Sequence, residues 1–145
     1  MFFVDTNVFV YAADSGSKEH IKCRNLLESW RKSPLPWYTS WGIIYEFLRV
    51  STHARVFRKP LSLEEAYSFV EVVLASPGIR ILSEGEHHTA VASRTFREIK
   101  SLSGNLLHDA HTAILMREYG IGRIYTRDTD FHRFPFLEVI DPMKE

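Results

Sequence analysis

Cysteine, charge of one sign and long apolar runs are all scarce in this sequence. Cys23 is the only cysteine among 145 residues, which excludes an internal disulfide framework and a cysteine-based zinc site. The 18 basic and 18 acidic residues cancel, so any contact with nucleic acid must be local. No segment approaches the roughly 20 apolar residues of a membrane span or forms a signal peptide. We therefore expect a soluble cytoplasmic protein that has no contact with a membrane.

The length and the hydrophobic content predict a single folded unit. Hydrophobic residues make up 45% of the chain and aromatic residues 13%, which is enough to fill one sizeable core. The sequence has no internal repeat, no low-complexity segment and no long linker. We therefore expect one domain that spans residues 1–145.

The hydrophobic pattern alternates between short apolar runs and segments of helical periodicity. The apolar runs predict strands at residues 1–4, 37–39, 79–82, 123–126 and 137–140. The predicted helices lie at 17–30, 41–50, 62–74, 83–100 and 105–119. Two of these helices start with a capping-box sequence, at 62–65 and 83–86, and the last ends at Gly120. Strands separated by helices predict an α/β fold with a mostly parallel sheet.

Acidic residues stand at the ends of two predicted strands. Asp5 directly follows the first strand, and Asp128 and Asp130 follow the fourth. In a doubly wound sheet, ligands bind outside the carboxyl ends of the strands, near the point where the strand order reverses. If the first and fourth strands are neighbours at that point, these carboxylates converge on one crevice.

Two further acids fall on apolar stripes of predicted helices. Asp109 lies three residues after Leu106, and Glu46 lies three residues after Ile43, so each shares a helix face with apolar side chains. A carboxylate in such a position is costly unless it is paired or bound to a metal. The sequence leaves open the alternative of ordinary helix-surface acids, each paired with a basic neighbour such as Arg49.

Together, these strand-end and helix acids indicate a metal centre. Carboxylates that lie close together cannot all remain ionised without a counter-cation. Oxygen ligands select hard ions, so Mg²⁺ or Mn²⁺ is the natural occupant. Such an ion suits phosphodiester hydrolysis because it activates water, orients the phosphate and neutralises developing charge. In this interpretation Asp5 is a metal ligand, and Asn7 and Thr126 orient water or the carboxylates.

Several stretches of the sequence resemble one known family in their order and spacing. They are VDTNVFVYA at the start, WGIIYEFLRVSTHARVFRKPLS in the middle, and SGNLLHDAHTAILMREYGIGRIYTRDTDFHRFP followed by VIDP. Together they resemble the PIN-domain ribonucleases, and specifically the VapC-like toxins of prokaryotic type II toxin–antitoxin systems.

The resemblance implies a fold, a reaction and partners. The implied fold is a PIN-like (Rossmann-like) three-layer α/β domain with a central, mostly parallel sheet of about five strands. The implied activity is that of an Mg²⁺-dependent endoribonuclease, for which Mn²⁺ substitutes, acting on structured RNA such as transfer or ribosomal RNA. The implied partners are a cognate antitoxin protein that blocks the site and a second copy of the chain in a homodimer.

The resemblance also assigns site residues by position. The implied catalytic and metal-binding residues are Asp5, Glu46, Asp109 and Asp128. The implied supporting residues are Thr6, Asn7, Thr126 and Asp130. The stretch TRDTDF offers two acids, and we assign the ligand to Asp128 because it lies nearer the strand end. Asp130 is then a supporting group or a turn cap for Phe131.

A basic run follows the helix that carries Glu46. Its candidate RNA-binding residues are Arg49, Arg55, Arg58 and Lys59. They are interleaved with apolar residues, which suits a segment that tracks RNA phosphates, with Phe57 or Trp41 as a stacking surface. An ordinary solvated loop is the alternative.

Other chemistries fit the sequence less well. His108 and His111 flank Asp109, but a zinc site needs further His or Cys ligands, so a helix-surface pair is the simpler interpretation. Phosphatases with an aspartate nucleophile have a second acid two residues on, where this chain has Asn7. No glycine-rich loop follows the first strand, which argues against nucleotide binding. Two alternatives stay open: a PIN-like RNA- or protein-binding module without a toxin role, and a PIN nuclease for RNA processing.

Overall fold

The centre of the structure, a computed structural model that describes residues 1–145, is a five-stranded parallel sheet. The strands are β1 (Phe3–Val4), β2 (Trp37–Ser40), β3 (Ile79–Leu82), β4 (Arg123–Tyr125) and β5 (Glu138–Ile140). The helices are α1 (Thr6–Ala13), α2 (His20–Lys32), α3 (Trp41–Ser51), α4 (Leu63–Leu74), α5 (His88–Glu98) and α6 (Leu106–Glu118). Short 3₁₀ helices lie at Thr129–Arg133 and Pro142–Lys144. None of the helices combines the length and the apolar character that crossing a membrane requires.

The strand order is β3-β2-β1-β4-β5, which places β1 at the centre of the sheet. Phe3 pairs in parallel with Tyr38 of β2 on one side and with Ile124 of β4 on the other. The chain winds outward from β1 to β3 and then returns to the far side of β1, so the strand order reverses between β1 and β4. The first and fourth strands are therefore neighbours, which is the condition under which the strand-end carboxylates converge.

Helices cover both faces of this sheet. Right-handed crossovers place the helices of the outward winding on one face and those of the return on the other. In agreement, α1 contacts α2 and α3, α3 contacts α4, and α5 packs on α6. Phe3 and Val4 of β1 are fully buried, as expected for a strand covered on both sides. The predicted three-layer α/β fold is confirmed.

The core beside β1 and β2 is rich in aromatic side chains. Phe2, Trp30 and Trp37 lie with ring centroids 4.9–6.5 Å apart, and Tyr125 packs on both Phe2 and Trp30. Trp30 and Trp37 are buried, so these rings anchor α2 against the middle of the sheet. The contact of Phe2 with Tyr125 fixes β1 and β4 relative to one another.

Local sequence determines where α4 begins and α6 ends. The Ser62 hydroxyl accepts from the N–H of Glu65, and the Glu65 carboxylate accepts from the N–H of Ser62, which is the predicted capping box. Gly120 follows α6 with φ of +70°, a conformation that glycine adopts without a Cβ clash. Both boundary predictions are confirmed.

The capping box predicted at residues 83–86 was wrong, because α5 begins only at His88. Tertiary contacts hold the preceding segment outside the helix. The carboxylate of Glu84 pairs with His111, and the N–H of Gly85 donates to Glu118 at 2.8 Å, so both are committed to α6. These contacts with α6 hold residues 84 and 85 outside the helix, so α5 cannot start at Ser83.

The hydrophobic pattern did not predict α1, and it placed the start of α2 too early. The α1 sequence is rich in β-branched and aromatic residues, which favour strands over helices. Packing against α2 and α3 outweighs that preference. α2 begins only at His20, and the Ser17 hydroxyl makes no capping hydrogen bond.

The close approach of two loops at Gly78 generates a stability prediction. A Cβ on Gly78 would lie 2.1 Å from the carbonyl oxygen of Leu35, a backbone atom that cannot rotate away. We expect Gly78→Ala to lower the free energy of unfolding by about 1–3 kcal/mol in urea denaturation. The control is Gly42→Ala in α3, where the nearest atom is 3.7 Å away and helix propensity predicts no loss. Equal stability of Gly78→Ala and wild type would contradict this packing.

Candidate metal centre

Asp5 is a buried carboxylate at the junction of β1 and α1. Its N–H donates to the carbonyl of Tyr125 at 3.1 Å, which extends the pairing of β1 with β4 by one residue. Its backbone is still extended, with φ −84° and ψ 164°, and the next residue begins α1. Only 7% of the residue is exposed. The strand-to-helix transition therefore holds the carboxylate at the carboxyl edge of the sheet, out of bulk water.

Two neutral side chains orient the Asp5 carboxylate. The Thr126 hydroxyl donates to Asp5 Oδ2 at 2.7 Å, and Asn7 Nδ2 donates to the same oxygen at 3.2 Å. The Thr126 hydroxyl also accepts from Asn7 Nδ2 at 2.9 Å and from the N–H of Asp128 at 3.0 Å. Both side-chain donors meet Oδ2, so Oδ1 of Asp5 is the oxygen free of side-chain donors. Thr6 lies between Asp5 and Asn7 and lines the adjoining cleft.

Three carboxylates from two elements form a close group beside Asp5. Asp109 lies in the first turn of α6, and Asp128 and Asp130 lie at the start of the 3₁₀ helix after β4. Each contributes one carboxylate oxygen to a set of three that lie within 4.8 Å of one another. Asp128 Oδ1 accepts from the N–H of Asp130 at 2.9 Å, so the residue that caps this turn is Asp128. We call Asp109, Asp128 and Asp130 the acidic group.

Burial and mutual repulsion make these acids hard to ionise together. Burial raises the pKa of Asp5 to about 6, although the hydrogen bond from Thr126 opposes the rise. Burial, and next the charge of Asp128, raises the pKa of Asp109 to about 7. A cation among these oxygens would relieve the repulsion. The all-oxygen donor set fits a hard divalent ion such as Mg²⁺ or Mn²⁺.

Glu46 lies at the rim of the site and is paired with its own helix. Its carboxylate accepts from Nε of Arg49 at 3.0 Å and from Nη2 at 2.6 Å, and these hydrogen bonds hold the pKa of Glu46 below its usual value. It does not belong to the acidic group, yet it is near enough to Asp5 for their charges to interact. The pairing with Arg49 is the alternative that the sequence left open.

Two cavities meet at the site. One of about 430 Å³ is lined by Asp5, Asp128 and the loop after α3, and a second of about 900 Å³ is lined by α3 and the start of α6. Thr6 and Glu46 line both, so a cleft runs across the front of Asp5.

The two histidines beside Asp109 face different surroundings. His111 Nε2 lies 2.5 Å from Glu84 Oε1, and His108 is exposed on the same helix. Both line the larger cavity, and neither belongs to the acidic group. The structure therefore gives no support to a zinc site built on this pair.

The basic run lies partly beside the cleft. Arg55, Arg58 and Lys59 are exposed and make no ion pair, whereas Arg49 is paired with Glu46. Phe57 is only 3% exposed, so the expectation that it offers a stacking surface was wrong. Its ring is part of the wall of the smaller cavity. Trp41 is 45% exposed, so its ring is accessible for stacking with an RNA base.

Comparison with known proteins identifies the family. The profile of the PIN domain matches residues 2–137. Ribonuclease VapC48 of Mycobacterium tuberculosis is 33% identical over 138 residues, which cover 95% of this chain and 94% of that protein. Ribonuclease VapC43 of the same organism is 34% identical over 143 residues, covering 99% and 96%. The chain therefore belongs to the PIN-domain family, and its relatives place it among the VapC proteins.

Solved structures share the fold. The crystal structure of Mycobacterium tuberculosis VapC20, a sarcin-ricin loop cleaving toxin, superposes with a TM-score of 0.68 at 23% identity, covering 97% of this chain and all of that one. VapBC2 from Rickettsia felis, bound to a DNA fragment from its promoter, gives a TM-score of 0.69 at 20% identity over 96% of both chains. At these identities the likeness concerns the fold alone.

The sequence placed Asp130 in a supporting role, whereas the structure groups its carboxylate with those of Asp109 and Asp128. The spacing of the two acids in TRDTDF did not reveal this, because the outcome depends on the turn that follows β4. Once Asp128 accepts from the N–H of Asp130, the tight turn keeps both carboxylates on one side.

The raised pKa of Asp5 generates a pH-dependent prediction. A carboxyl whose pKa rises from 3.8 to about 6 on folding binds its proton more tightly in the folded state. Its contribution to stability is therefore nearly complete at pH 4 and is lost as the pH rises from there through about 6. Asp5→Asn keeps an oxygen for Thr126 and removes the charge. We expect it to raise the free energy of unfolding by about 1–3 kcal/mol at pH 8 and by almost nothing at pH 4.

The measurement is urea denaturation in EDTA at both pH values. The wild-type protein at pH 4 serves as the internal control, because there the Asp5 carboxyl is protonated in the folded state. A gain of equal size at pH 4 and pH 8, or a loss at pH 8, would show that ionised Asp5 does not oppose folding.

Proposed function

We propose that this protein is an Mg²⁺- or Mn²⁺-dependent endoribonuclease that acts as the toxin of a toxin–antitoxin pair. The observation that carries the proposal is the acidic group beside Asp5, at the reversal point of the sheet. The names of the VapC relatives, which are ribonucleases, support the reaction class. A module that only binds RNA or protein would have no need to bury and crowd these carboxylates.

The proposed metal ligands come from four parts of the chain. Asp5 follows β1, Asp109 belongs to α6, and Asp128 precedes the 3₁₀ helix, where Asp130 adds a further oxygen donor. Glu46, in α3, would become a ligand by exchanging its hydrogen bonds with Arg49 for a bond to the metal ion. A bound Mg²⁺ or Mn²⁺ supplies an activated water and neutralises the charge that develops on the scissile phosphate.

The neutral residues around the ligands hold them in place. Thr126 and Asn7 both donate to Oδ2 of Asp5, which fixes the plane of that carboxylate and leaves Oδ1 free of side-chain donors. Thr6 lines the cleft on both sides of the site. Fixed ligands reduce the rearrangement that substrate binding would otherwise require.

The proposed substrate is RNA, of the transfer or ribosomal kind. Arg55, Arg58 and Lys59 are free of acidic partners and lie in the loop that helps to wall the cleft, where they can contact phosphates. VapC20, which shares the fold, is a sarcin-ricin loop cleaving toxin. We propose that the protein acts in the cytoplasm, because its proposed RNA substrate and its proposed antitoxin are found there.

The proposed protein partners are a cognate antitoxin that blocks the cleft and a second copy of this chain. Proteins of the same fold have been solved as toxin–antitoxin assemblies, among them VapBC2 from Rickettsia felis. These likenesses support pairing with an antitoxin.

The cleavage prediction follows from the ligand set. Wild-type protein, free of antitoxin, should cut a pool of transfer and ribosomal RNA into discrete fragments with Mg²⁺ or Mn²⁺ and leave it intact in EDTA. Asp5→Asn should reduce the cleavage rate by at least about 100-fold, because a metal ligand is lost while the fold is kept. Glu71→Gln, at an exposed acid of α4, is the control and should cut like wild type. The assay is a denaturing gel.

Cleavage that survives Asp5→Asn at the wild-type rate would contradict the mechanism. A folded wild-type protein that binds Mn²⁺ and cuts none of these RNAs would reject this substrate class. A protein that neither binds Mn²⁺ nor cuts RNA would favour a non-catalytic binding module.

A further inference from the structure

Arg127 lies beside the acidic group, but its side chain pairs with acids outside that group. Nη1 donates to Glu19 Oε1 at 2.8 Å, and Nε lies 3.4 Å from Asp141 Oδ1. The side chain of Glu19 is 9% exposed and that of Asp141 25%, so both carboxylates are largely removed from water. The guanidinium of Arg127 therefore connects the loop after β4 to Glu19, the residue before α2, and to Asp141, the residue after β5.

The main chain of Arg127 connects this ion-pair network to Asp5. Its N–H donates to Asn7 Oδ1 at 3.1 Å, so the amide group of Asn7 must present Nδ2 to the other side. There Nδ2 donates to Asp5 Oδ2 and to the Thr126 hydroxyl. If the Asn7 amide were flipped, its Nδ2 donor would face the N–H donor of Arg127, and no hydrogen bond could form there. The backbone position of Arg127 thus determines which group of Asn7 faces Asp5.

The same loop carries both aspartates of the acidic group that follow β4. Asp128 is the next residue after Arg127, and its N–H donates to Thr126. A shift of the backbone at Arg127 would therefore move the Asn7 contact and the Asp128 carboxylate together. Partly buried ion pairs add little net stability, whereas the planar guanidinium imposes a definite geometry on two carboxylates.

We propose that Arg127 is a positioning residue of the metal centre. Held between Glu19 and Asp141, it fixes the loop of residues 126–130 so that Asn7 donates to Asp5 and Asp128 faces Asp109. The inference rests on the proposed function for the identity of the bound ion. It adds three residues, Arg127, Glu19 and Asp141, to those on which the site depends.

The test compares Arg127→Gln, Arg127→Lys and Glu19→Gln with wild type, at a temperature where every variant is folded. The control is Arg31→Gln, since Arg31 is also paired with a glutamate and its side chain is similarly exposed, 28% against 33%. Three quantities are measured: hydrogen exchange of the Arg127 and Asp128 amides in EDTA, the Kd for Mn²⁺, and kcat with KM for RNA cleavage.

We expect Arg127→Gln and Glu19→Gln to speed exchange of the two amides at least tenfold, to raise the Kd for Mn²⁺ about 10- to 100-fold and to lower kcat more than they raise KM. Arg127→Lys should fall between these variants and wild type, because an ammonium keeps the charge but loses the planar fork. Arg31→Gln should match wild type in all three quantities.

A merely structural role gives a different result. Arg127→Gln and Glu19→Gln would then lower the unfolding temperature while amide exchange and the Kd for Mn²⁺ stay within twofold of wild type, and that outcome overturns the inference. Hydrogen exchange in EDTA tests the positioning role independently of metal binding and of RNA cleavage. A wild-type protein that binds Mn²⁺ but cuts none of these RNAs would therefore reject the proposed substrate class, while hydrogen exchange and the Kd for Mn²⁺ still decide the role of Arg127.

Discussion

The parallel pairing of β1 with β4 is the constraint on which the site depends. Val4 is aligned with Tyr125, and the N–H of Asp5, the residue after β1, donates to the carbonyl of Tyr125. This register sets Asp5 directly beside Thr126, the first residue after β4. Because side chains alternate between the two faces of a strand, a slip of one residue would separate this pair. The aromatic packing around β1 and the burial of Phe3 and Val4 resist such a slip.

The site that this register creates opposes the stability of the fold. Asp5 and Asp109 have raised pKa values because they are removed from water and lie near other acids. The hydrogen bonds that Thr126 and Asn7 donate to Asp5 offset part of this cost. In our proposal, a divalent cation removes the remaining repulsion, so the feature that weakens the empty protein is the one that binds the ion.

The fold followed from the sequence where hydrophobic pattern and local caps agree. The strand at residues 79–82, the capping box at Ser62 and the end of α6 at Gly120 were predicted from such patterns. α1 and the start of α5 were not, because contacts with other helices decide them. At the site, strand ends and helix stripes pointed to the acids. The pairing of Glu46 with Arg49 and the grouping of Asp130 depend on side-chain and turn geometry, which spacing alone does not define.

The central claim is that buried, mutually repelling carboxylates form a divalent-cation site, and calorimetric titration with Mn²⁺ tests it most directly. Titrations near pH 7 in buffers of different ionisation enthalpy yield both the Kd and the number of protons released. The account predicts that wild type binds Mn²⁺ and releases protons, because carboxyls with raised pKa must ionise to bind the ion. Asp109→Asn should weaken binding at least about tenfold and release fewer protons, while Glu71→Gln should behave like wild type. Equal affinity and equal proton release in Asp109→Asn and wild type would contradict it.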